Sequence, residues 1–378
     1  MTLPIEAVRT ELLTQFRAHS NLVLVAEPGA GKTTQVPLWL LDEAVLKGNK
    51  IILLEPRRIA ARAAAQRMAS LLGEEVGQTI GLRMRAETRV SARTRLEVVT
   101  EGVFSRMILD DATLPGVGAV LFDEFHERSL DADLGLALAL DVQAALRDDL
   151  KLMVLSATID AKAVSAIMDD APVIASKGRG FPIDMHYLPR NQRKMIVPQI
   201  VEAVQLALKE QSGSILVFLP GRSEIEAARR QLQDTVGGDP TVLIAPLYAG
   251  LPQQAQIAAL QPAPAGKRKI VLSTNLAQTS MTIEGVRVVV DGGLSRRPRF
   301  NPQTGVSRLE TVFVSKAAAD QRAGRAGRTE PGVCYRLWPE QWTRTLEAQD
   351  QPELLEANLA RFALDLAAYV FAPVVEAV

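Results

Sequence analysis

Short runs of β-branched and aliphatic residues alternate along this chain with longer stretches rich in Ala and Leu at helical spacing. In the first half, residues 21–26, 50–54, 96–99, 119–122 and 152–155 are apolar almost without interruption, which predicts strands covered on both faces, as in a parallel sheet. The stretches 59–72 and 130–146 between them carry the spacing of helices. Strand–helix alternation of this kind predicts a doubly wound α/β domain. The rhythm breaks at Lys177-Gly178-Arg179-Gly180-Phe181-Pro182, a polar Gly/Pro segment that reads as a linker. It resumes with apolar runs at 214–219, 242–245, 270–272, 286–290 and 333–337. The pattern therefore predicts two α/β domains, residues 1–178 and 179–350. The remainder, 351–378, opens on a Pro-Glu pair and continues as an apolar helix, expected to begin a further helical or winged-helix domain.

Composition narrows the class. The 378 residues are 47% hydrophobic but only 4% aromatic, so two cores must be built mostly from Leu, Val, Ala and Ile. Lys plus Arg and Asp plus Glu number 43 each, so any hold on a polyanion must come from a local basic patch and not from net charge. With Cys334 alone, an intrachain disulfide is excluded. No apolar run is long enough for a membrane span, and residues 1–17 lack a secretory pattern, so the expectation is a cytoplasmic protein.

Three clusters carry candidate chemistry. Ala26-Glu27-Pro28-Gly29-Ala30-Gly31-Lys32-Thr33 follows the first strand and precedes a helix, the context that a phosphate-binding Walker A loop requires. Gly29, Ala30, Gly31, Lys32, Thr33 and Thr34 would cradle the phosphates, with Lys32 on the β- and γ-phosphates and the Thr33 hydroxyl on Mg²⁺. A chance Gly-rich turn is the plain alternative. Asp123-Glu124-Phe125-His126 ends the strand at 119–122; Asp123 would act on Mg²⁺ through its water shell and Glu124 would prepare the attacking water. Adjacent acids at a strand end are otherwise ordinary solvated residues. Gln321-Arg322-Ala323-Gly324-Arg325-Ala326-Gly327-Arg328 spaces three arginines so that they would share one side of a helical turn. Small residues between them suit close approach to another surface, and such arginines neutralise charge developing on a γ-phosphate. A solvated basic helix face is the alternative. Lying in the second domain, they imply an ATP cleft between the domains. The three histidines support no metal cluster, and His126 and His186 read as ordinary surface or satisfied residues.

Taken in order, Gly29 through Thr33, Pro56-Arg57-Arg58, Thr100-Glu101-Gly102, Asp123 through His126, Ser156-Ala157-Thr158, Ser273-Thr274-Asn275 and Gln321 through Arg328 resemble the DEAH-box branch of superfamily 2 helicases. The phrases Leu54-Glu55-Pro56-Arg57-Arg58 and Asp123-Glu124-Phe125-His126-Glu127-Arg128-Ser129-Leu130 are most similar to its bacterial HrpB branch. The resemblance implies two RecA-like domains and an ATP-dependent, RNA-stimulated helicase core. It implies that Thr33 and Glu124 ligate Mg²⁺, that Gln321, Arg325 and Arg328 contact the γ-phosphate and water, and that Arg67 stacks on the nucleotide base. Arg57, Arg58, Thr100, Gly221, Thr274 and Asn275 match positions that hold the RNA backbone. Ser156-Ala157-Thr158 resembles the segment linking ATP state to strand separation. Residues 296–315 resemble a strand-separating β-hairpin, and Asn301-Pro302-Gln303-Thr304-Gly305 is by itself a turn composition.

The chain departs from the family at Gln278, where Glu is usual, and at Leu294, where many relatives place a base-stacking aromatic. The second departure predicts weak discrimination among ATP, GTP, CTP and UTP. Relatives continue well past residue 378, so the expectation is the motor part of a longer protein. Arg57, Arg58, Arg62, Arg67, Arg83, Arg85, Arg89, Arg93 and Arg95 in the first domain, with Arg296, Arg297 and Arg299 in the second, concentrate positive charge; a single arginine outside the motifs reads first as a solvated surface charge, but grouped after strands they fit a channel for a nucleic-acid backbone, which the resemblance makes a single-stranded RNA or a duplex with a single-stranded tail. Few aromatics are available for base stacking. A monomer is the expected state. Two other functions fit part of the pattern: an ATP-switched RNA clamp without processive unwinding, and a small-molecule P-loop kinase, which would leave the arginine cluster unexplained.

Overall fold

The structure is a computed structural model that describes every residue except 1–2, 158–160, 177, 179, 192, 279–282 and 376–378, and the side chains of 371–375. Thr158 and two positions of the linker segment, 177 and 179, lie outside the described residues. The chain divides into two compact units: Met1–Gly178 with Gln351–Val378, and Arg179–Asp350.

The first unit is built on an eight-stranded sheet from β1 (Asn21–Ala26), β2 (Lys50–Glu55), β3 (Ile80–Met84), β4 (Glu87–Arg89), β5 (Leu96–Thr100), β6 (Val117–Phe122), β7 (Lys151–Ser156) and β8 (Val173–Ser176), in the order β4-β3-β5-β2-β6-β7-β1-β8. Every pairing is parallel except that of β4 with β3. The unbroken apolar runs are explained by what covers them. Leu22, Leu24, Ile51 and Leu53 point to the face carrying α1 (Arg9–Ala18), α2 (Lys32–Leu40) and α3 (Arg58–Leu71). Val23, Ile52 and Leu54 point to the opposite face, under α4 (Glu101–Asp110), α5 (Leu130–Ala145) and α6 (Ala161–Ile167). With period two and both faces dry, β1, β2, β6 and β7 are apolar between their ends, and each such side chain contributes about 1.5–3 kcal/mol by burial.

The second unit has a six-stranded, all-parallel sheet from β9 (Ile183–Tyr187), β10 (Ser214–Phe218), β11 (Val242–Leu247), β12 (Arg268–Ser273), β13 (Val286–Asp291) and β16 (Gly332–Arg336), in the order β11-β12-β10-β13-β16-β9. Helices α7 (Ile196–Glu210) and α8 (Arg222–Val236) cover Ile215, Val217, Ile270, Val288 and Val290. The helices α9 (Gln253–Leu260) and α10 (Lys316–Ala323) complete the unit. Between β13 and α10 the chain leaves the sheet as an antiparallel hairpin, β14 (Leu294–Asn301) with β15 (Val306–Phe313). Its turn closes through Gly305 N–H to the Asn301 carbonyl at 2.9 Å, with Gly305 at φ +67°. That is the left-handed conformation for which the turn composition selects glycine.

The tail packs on the first unit. Helix α11 (Ala360–Val375) sets Phe362, Leu366 and Tyr369 against the core under α4 and α5, and the Tyr369 hydroxyl donates to Asp141 at 2.7 Å. Before it, the Glu353 N–H donates to the Arg128 carbonyl at 3.1 Å, and its carboxylate accepts the Leu130 N–H at 2.9 Å. Glu353 thus caps the α5 N-terminus from a distance in sequence, beside the local cap supplied by Ser129 to Ala132 N–H.

Candidate nucleotide and nucleic-acid site

In the first unit the phosphate loop lies between β1 and α2. Gly29 and Gly31 stand at φ +87° and +98°, which allows the loop to curl before α2 begins at Lys32. The loop is pinned from a direction that the motif does not reveal. Ile5, fully buried in a 3₁₀ turn over Pro4–Val8, donates its N–H to the Ala30 carbonyl at 3.2 Å. A Cβ on Gly31 would stand 2.9 Å from Leu3 Cδ1. The N-terminal segment is therefore part of the cradle.

Asp123 and Glu124 follow β6, and Glu124 adopts φ +50°, a strained conformation for a residue with a side chain. Its carboxylate reaches Lys32 Nζ at 2.9 Å, with Asp123 Oδ1 3.7 Å from the same ammonium. All three side chains are nearly inaccessible. The Thr33 hydroxyl donates to Asp123 Oδ2, and Asp123 Oδ1 accepts the Glu124 N–H at 2.7 Å. The structure thus brings the loop and the acidic pair, ninety residues apart in sequence, into one constellation.

A third carboxylate belongs with them. Glu55, at the end of β2, is fully buried, and neither of its oxygens has a hydrogen-bond partner. Burial and the neighbouring Asp123 and Glu124 push its carboxyl well above the usual range. Burial also raises Asp123 to about 6, against the pull of Lys32. Lys32 itself is raised: burial works against the ammonium, but Glu124 and Asp123 outweigh it. Asp123 and Glu124 face a single ammonium, and Glu55 avoids adding a third charge by holding its proton. Among the described residues no group of three His, Cys, Asp or Glu side chains is placed to hold a metal alone. Mg²⁺ keeps water and takes one or two carboxylates plus substrate phosphates. The oxygen donors of Thr33, Asp123 and Glu124 fit such an ion.

His126 is not an ordinary surface histidine. Its side chain is 5% exposed, and Nδ1 accepts the Ala157 N–H at 3.4 Å while lying 3.3 Å from Glu124 Oε2. Burial lowers its pKa, so the ring is neutral, and the bond from the Ala157 N–H fixes it to the segment that follows β7, beside Glu124.

The residues matched to RNA contact and base stacking sit at the ends of strands or on α3. Arg57 pairs with Glu127 at 2.9 Å, Arg58 is exposed on the first turn of α3, and Arg67 is exposed further along that helix. Thr100 precedes α4 and makes no side-chain cap. Beside it lies Glu101, 7% exposed. Burial pushes its carboxyl to about 8, although the Ser129 hydroxyl, donating at 2.6 Å, favours the ionised form; Glu127, Asp131 and Glu353 add to the rise. The folded chain keeps a proton that the unfolded chain releases above its ordinary value of 4.5. The stability associated with that proton is fully present below 4.5 and is lost as pH rises through about 8. Thermal unfolding of Glu101→Gln and parent should therefore diverge in favour of the variant over that range, by at most about 1.4 kcal/mol per pH unit. Parallel curves would exclude the assignment.

In the second unit, Gly221 precedes α8 in extended backbone, and a Cβ there would stand 2.3 Å from Arg296 Nη1. Arg296, on the hairpin, in turn pairs with Glu224 at 2.9 Å. Thr274 caps the 3₁₀ turn over Asn275–Ala277, accepting the Leu276 N–H at 3.3 Å, and Asn275 is exposed. The arginine cluster corrects the sequence expectation. Helix α10 ends at Ala323, so Arg325 and Arg328 lie in the turns beyond it and the three arginines do not share a helical face. Arg322 points inward: 1% exposed, it donates to Asp291 at 2.9 Å and lies over the Phe218 ring at 4.8 Å. Arg325 Nε donates to the Gln278 carbonyl at 2.9 Å, and the Gln321 oxygen accepts from the Gln278 amide at 3.1 Å. The Gly324-Arg325-Ala326-Gly327 turn needs small residues because a Cβ at Gly327 would stand 2.6 Å from the Phe181 carbonyl oxygen.

Comparison with known proteins agrees with this arrangement. Residues 6–167 match the DEAD/DEAH box helicase family, and residues 196–330 match the helicase conserved C-terminal domain. The chain is 50% identical over 365 residues to the ATP-dependent RNA helicase HrpB of Escherichia coli (strain K12), covering 97% of this chain and 45% of that protein. Two crystal structures of E. coli HrpB, described as a DEAH/RHA helicase and as a DExH-box NTPase, superpose with TM-scores of 0.92 and 0.87 at 49% identity. They cover 97% and 98% of this chain, which spans 46% and 45% of theirs. The chain thus spans about half the length of the relatives it matches.

Proposed function

Because the chain belongs to the DEAD/DEAH-box helicase family, we propose that it is the motor portion of an ATP-dependent RNA helicase. It hydrolyses ATP at the Lys32–Thr33 loop and uses the cycle to move along, and separate, RNA strands. The observation that carries this reading is the buried constellation of Lys32, Thr33, Asp123 and Glu124. In it the ammonium would take the β- and γ-phosphates, and Thr33 and Glu124 would hold Mg²⁺, with Asp123 acting on it through water. When bound, Mg²⁺ would supply charge neutralisation on the phosphates. Glu124 would accept a proton from the attacking water. Gln321, Arg325 and Arg328 act on the γ-phosphate, and Arg67 lies on the base.

RNA is held through its backbone by Arg57, Arg58, Thr100, Gly221, Thr274 and Asn275, with the β14–β15 hairpin dividing the strands. No helix among the described residues is long and apolar enough to cross a membrane. A monomer acting in the cytoplasm completes the reading.

The test is phosphate release with Mg²⁺ from ATP, GTP, CTP and UTP, with and without single-stranded RNA carrying a duplex. RNA stimulation with all four nucleotides, since Leu294 offers no aromatic ring to a base, is the expected result. Transfer of phosphate to a small metabolite, unaffected by RNA, would sink the motor and favour a kinase.

A further inference from the structure

The base of the β14–β15 hairpin is tied to the start of α8 by one side chain. Successive residues of β14 face opposite sides, so Arg296 leaves the ribbon on one face and Arg297 and Arg299 leave it on the other. Arg297 pairs with Asp350, and Arg299 with Glu310 at 3.3 Å. Arg296 reaches α8 instead. Its Nη2 donates to Glu224 Oε1 at 2.9 Å and to the Ser223 hydroxyl at 3.3 Å. Its Nη1 lies against Gly221, where a Cβ would stand 2.3 Å away. Gly221, at φ −163°, is in extended backbone that any residue adopts. What the glycine provides is the close approach of the guanidinium to the main chain.

The ion pair is open to water, with 31% of the Arg296 side chain and 22% of the Glu224 side chain exposed. Pairs this accessible are held weakly, so exchanging one acceptor for another costs little. A backbone phosphate beside Gly221 would meet the Arg296 guanidinium at once. It would offer that planar fork two acceptor oxygens in place of the single Glu224 oxygen it bonds in the structure.

Resting on the assignment of Gly221 to the RNA backbone, we propose that Glu224 is an intramolecular competitor of RNA: a phosphate held beside Gly221 takes the Arg296 guanidinium from it. The strand bound at the start of α8 is then joined directly to the base of the hairpin. In the RNA-free protein Glu224 keeps that guanidinium occupied, which weakens the hold on any polyanion that does not reach Gly221.

Binding of a fluorescent single-stranded RNA over a range of salt, by the parent, Arg296→Gln, Glu224→Gln and the double variant, tests this. Arg296→Gln is expected to weaken binding about fivefold and to reduce the slope of log Kd against log salt by about 0.7, the share of one phosphate on a single strand. Glu224→Gln is expected to tighten binding about threefold, because the guanidinium no longer has to leave a carboxylate. In the Arg296→Gln background the same change at 224 should move Kd less than about 1.5-fold. Equal tightening in both backgrounds would assign the effect to the general loss of a negative charge and overturn the exchange, as would no tightening in either. An unchanged salt slope in Arg296→Gln would remove Arg296 from the RNA. A parent that does not bind RNA would overturn the RNA reading itself, and the inference with it. Should either glutamine variant fail to fold by circular dichroism, Arg296→Ala and Glu224→Ala give the same cycle.

Discussion

Glu124→Gln is expected to lower kcat for ATP hydrolysis about 10²–10³-fold while leaving the folded state at least as stable as the parent. The amide keeps the size of the carboxylate and can still accept from Lys32, so the fit of the pocket survives. What is lost is the base: an amide does not take a proton from water at neutral pH. The stability half of the expectation follows from the charges around it. Glu55, Asp123 and Glu124 crowd around one ammonium in a site closed to solvent, and burial together with mutual repulsion holds Glu55 and Asp123 above their ordinary ranges. Removing one negative charge relieves that repulsion. The pocket is thus destabilised by like charge, and a variant both inactive and no less stable is the expected signature. Single-turnover hydrolysis and thermal unfolding measure the two halves. Activity within about tenfold of the parent would remove Glu124 from the role of base.

Arg322→Ala should have the largest effect on stability, about 3–5 kcal/mol in the second unit. The guanidinium and Asp291 are both essentially inaccessible, and one Asp291 oxygen already has no hydrogen-bond partner. Truncation strands the remaining carboxylate in the core, frees the Gln278 oxygen and uncovers the face of Phe218. Hydrogen exchange at β10 and β13 amides reads the loss locally, because both strands border the ion pair. Adding Asp291→Asn should recover part of it, since the stranded charge is then removed. A loss below about 1 kcal/mol would mean that the site relaxes enough for water to reach Asp291. This arginine belongs to the same motif as Arg325 and Arg328, yet its surroundings make it a structural anchor.

The division between what sequence determined and what only the folded chain decided is clear in particular residues. The five strand runs of each unit were legible because parallel strands covered on both faces are mostly apolar, which leaves a recognisable block even where Glu97 and Arg336 are buried on β5 and β16. The antiparallel edge strand β4, the peripheral strands β8 and β9 and β3, whose buried run is broken by Gly81 and Arg83, carry no such block and were not predicted. The phosphate loop and the acidic pair were legible because each is a short motif with a fixed strand context. The hairpin was legible from its turn. Glu55 was not, since a carboxylate at a strand end looks the same whether it faces water or two other carboxylates. His126 was left open between a surface and a satisfied residue because sequence gives no burial, and the role of Leu3 and Ile5 under the phosphate loop depends on a contact across twenty-five residues. The arginine cluster shows the limit most plainly. Its spacing suggested one helical side, but the helix ends at Ala323, and which arginine turns inward was decided by where Asp291 and Phe218 stand on neighbouring strands. The same holds for Gln278, whose identity is printed in the chain while its orientation comes from Arg322. Local pattern encodes which backbone forms and which chemistry is present. Partners far apart in sequence decide burial, charge state and the direction of each hydrogen bond, because those depend on the distance between atoms that only the tertiary fold brings together.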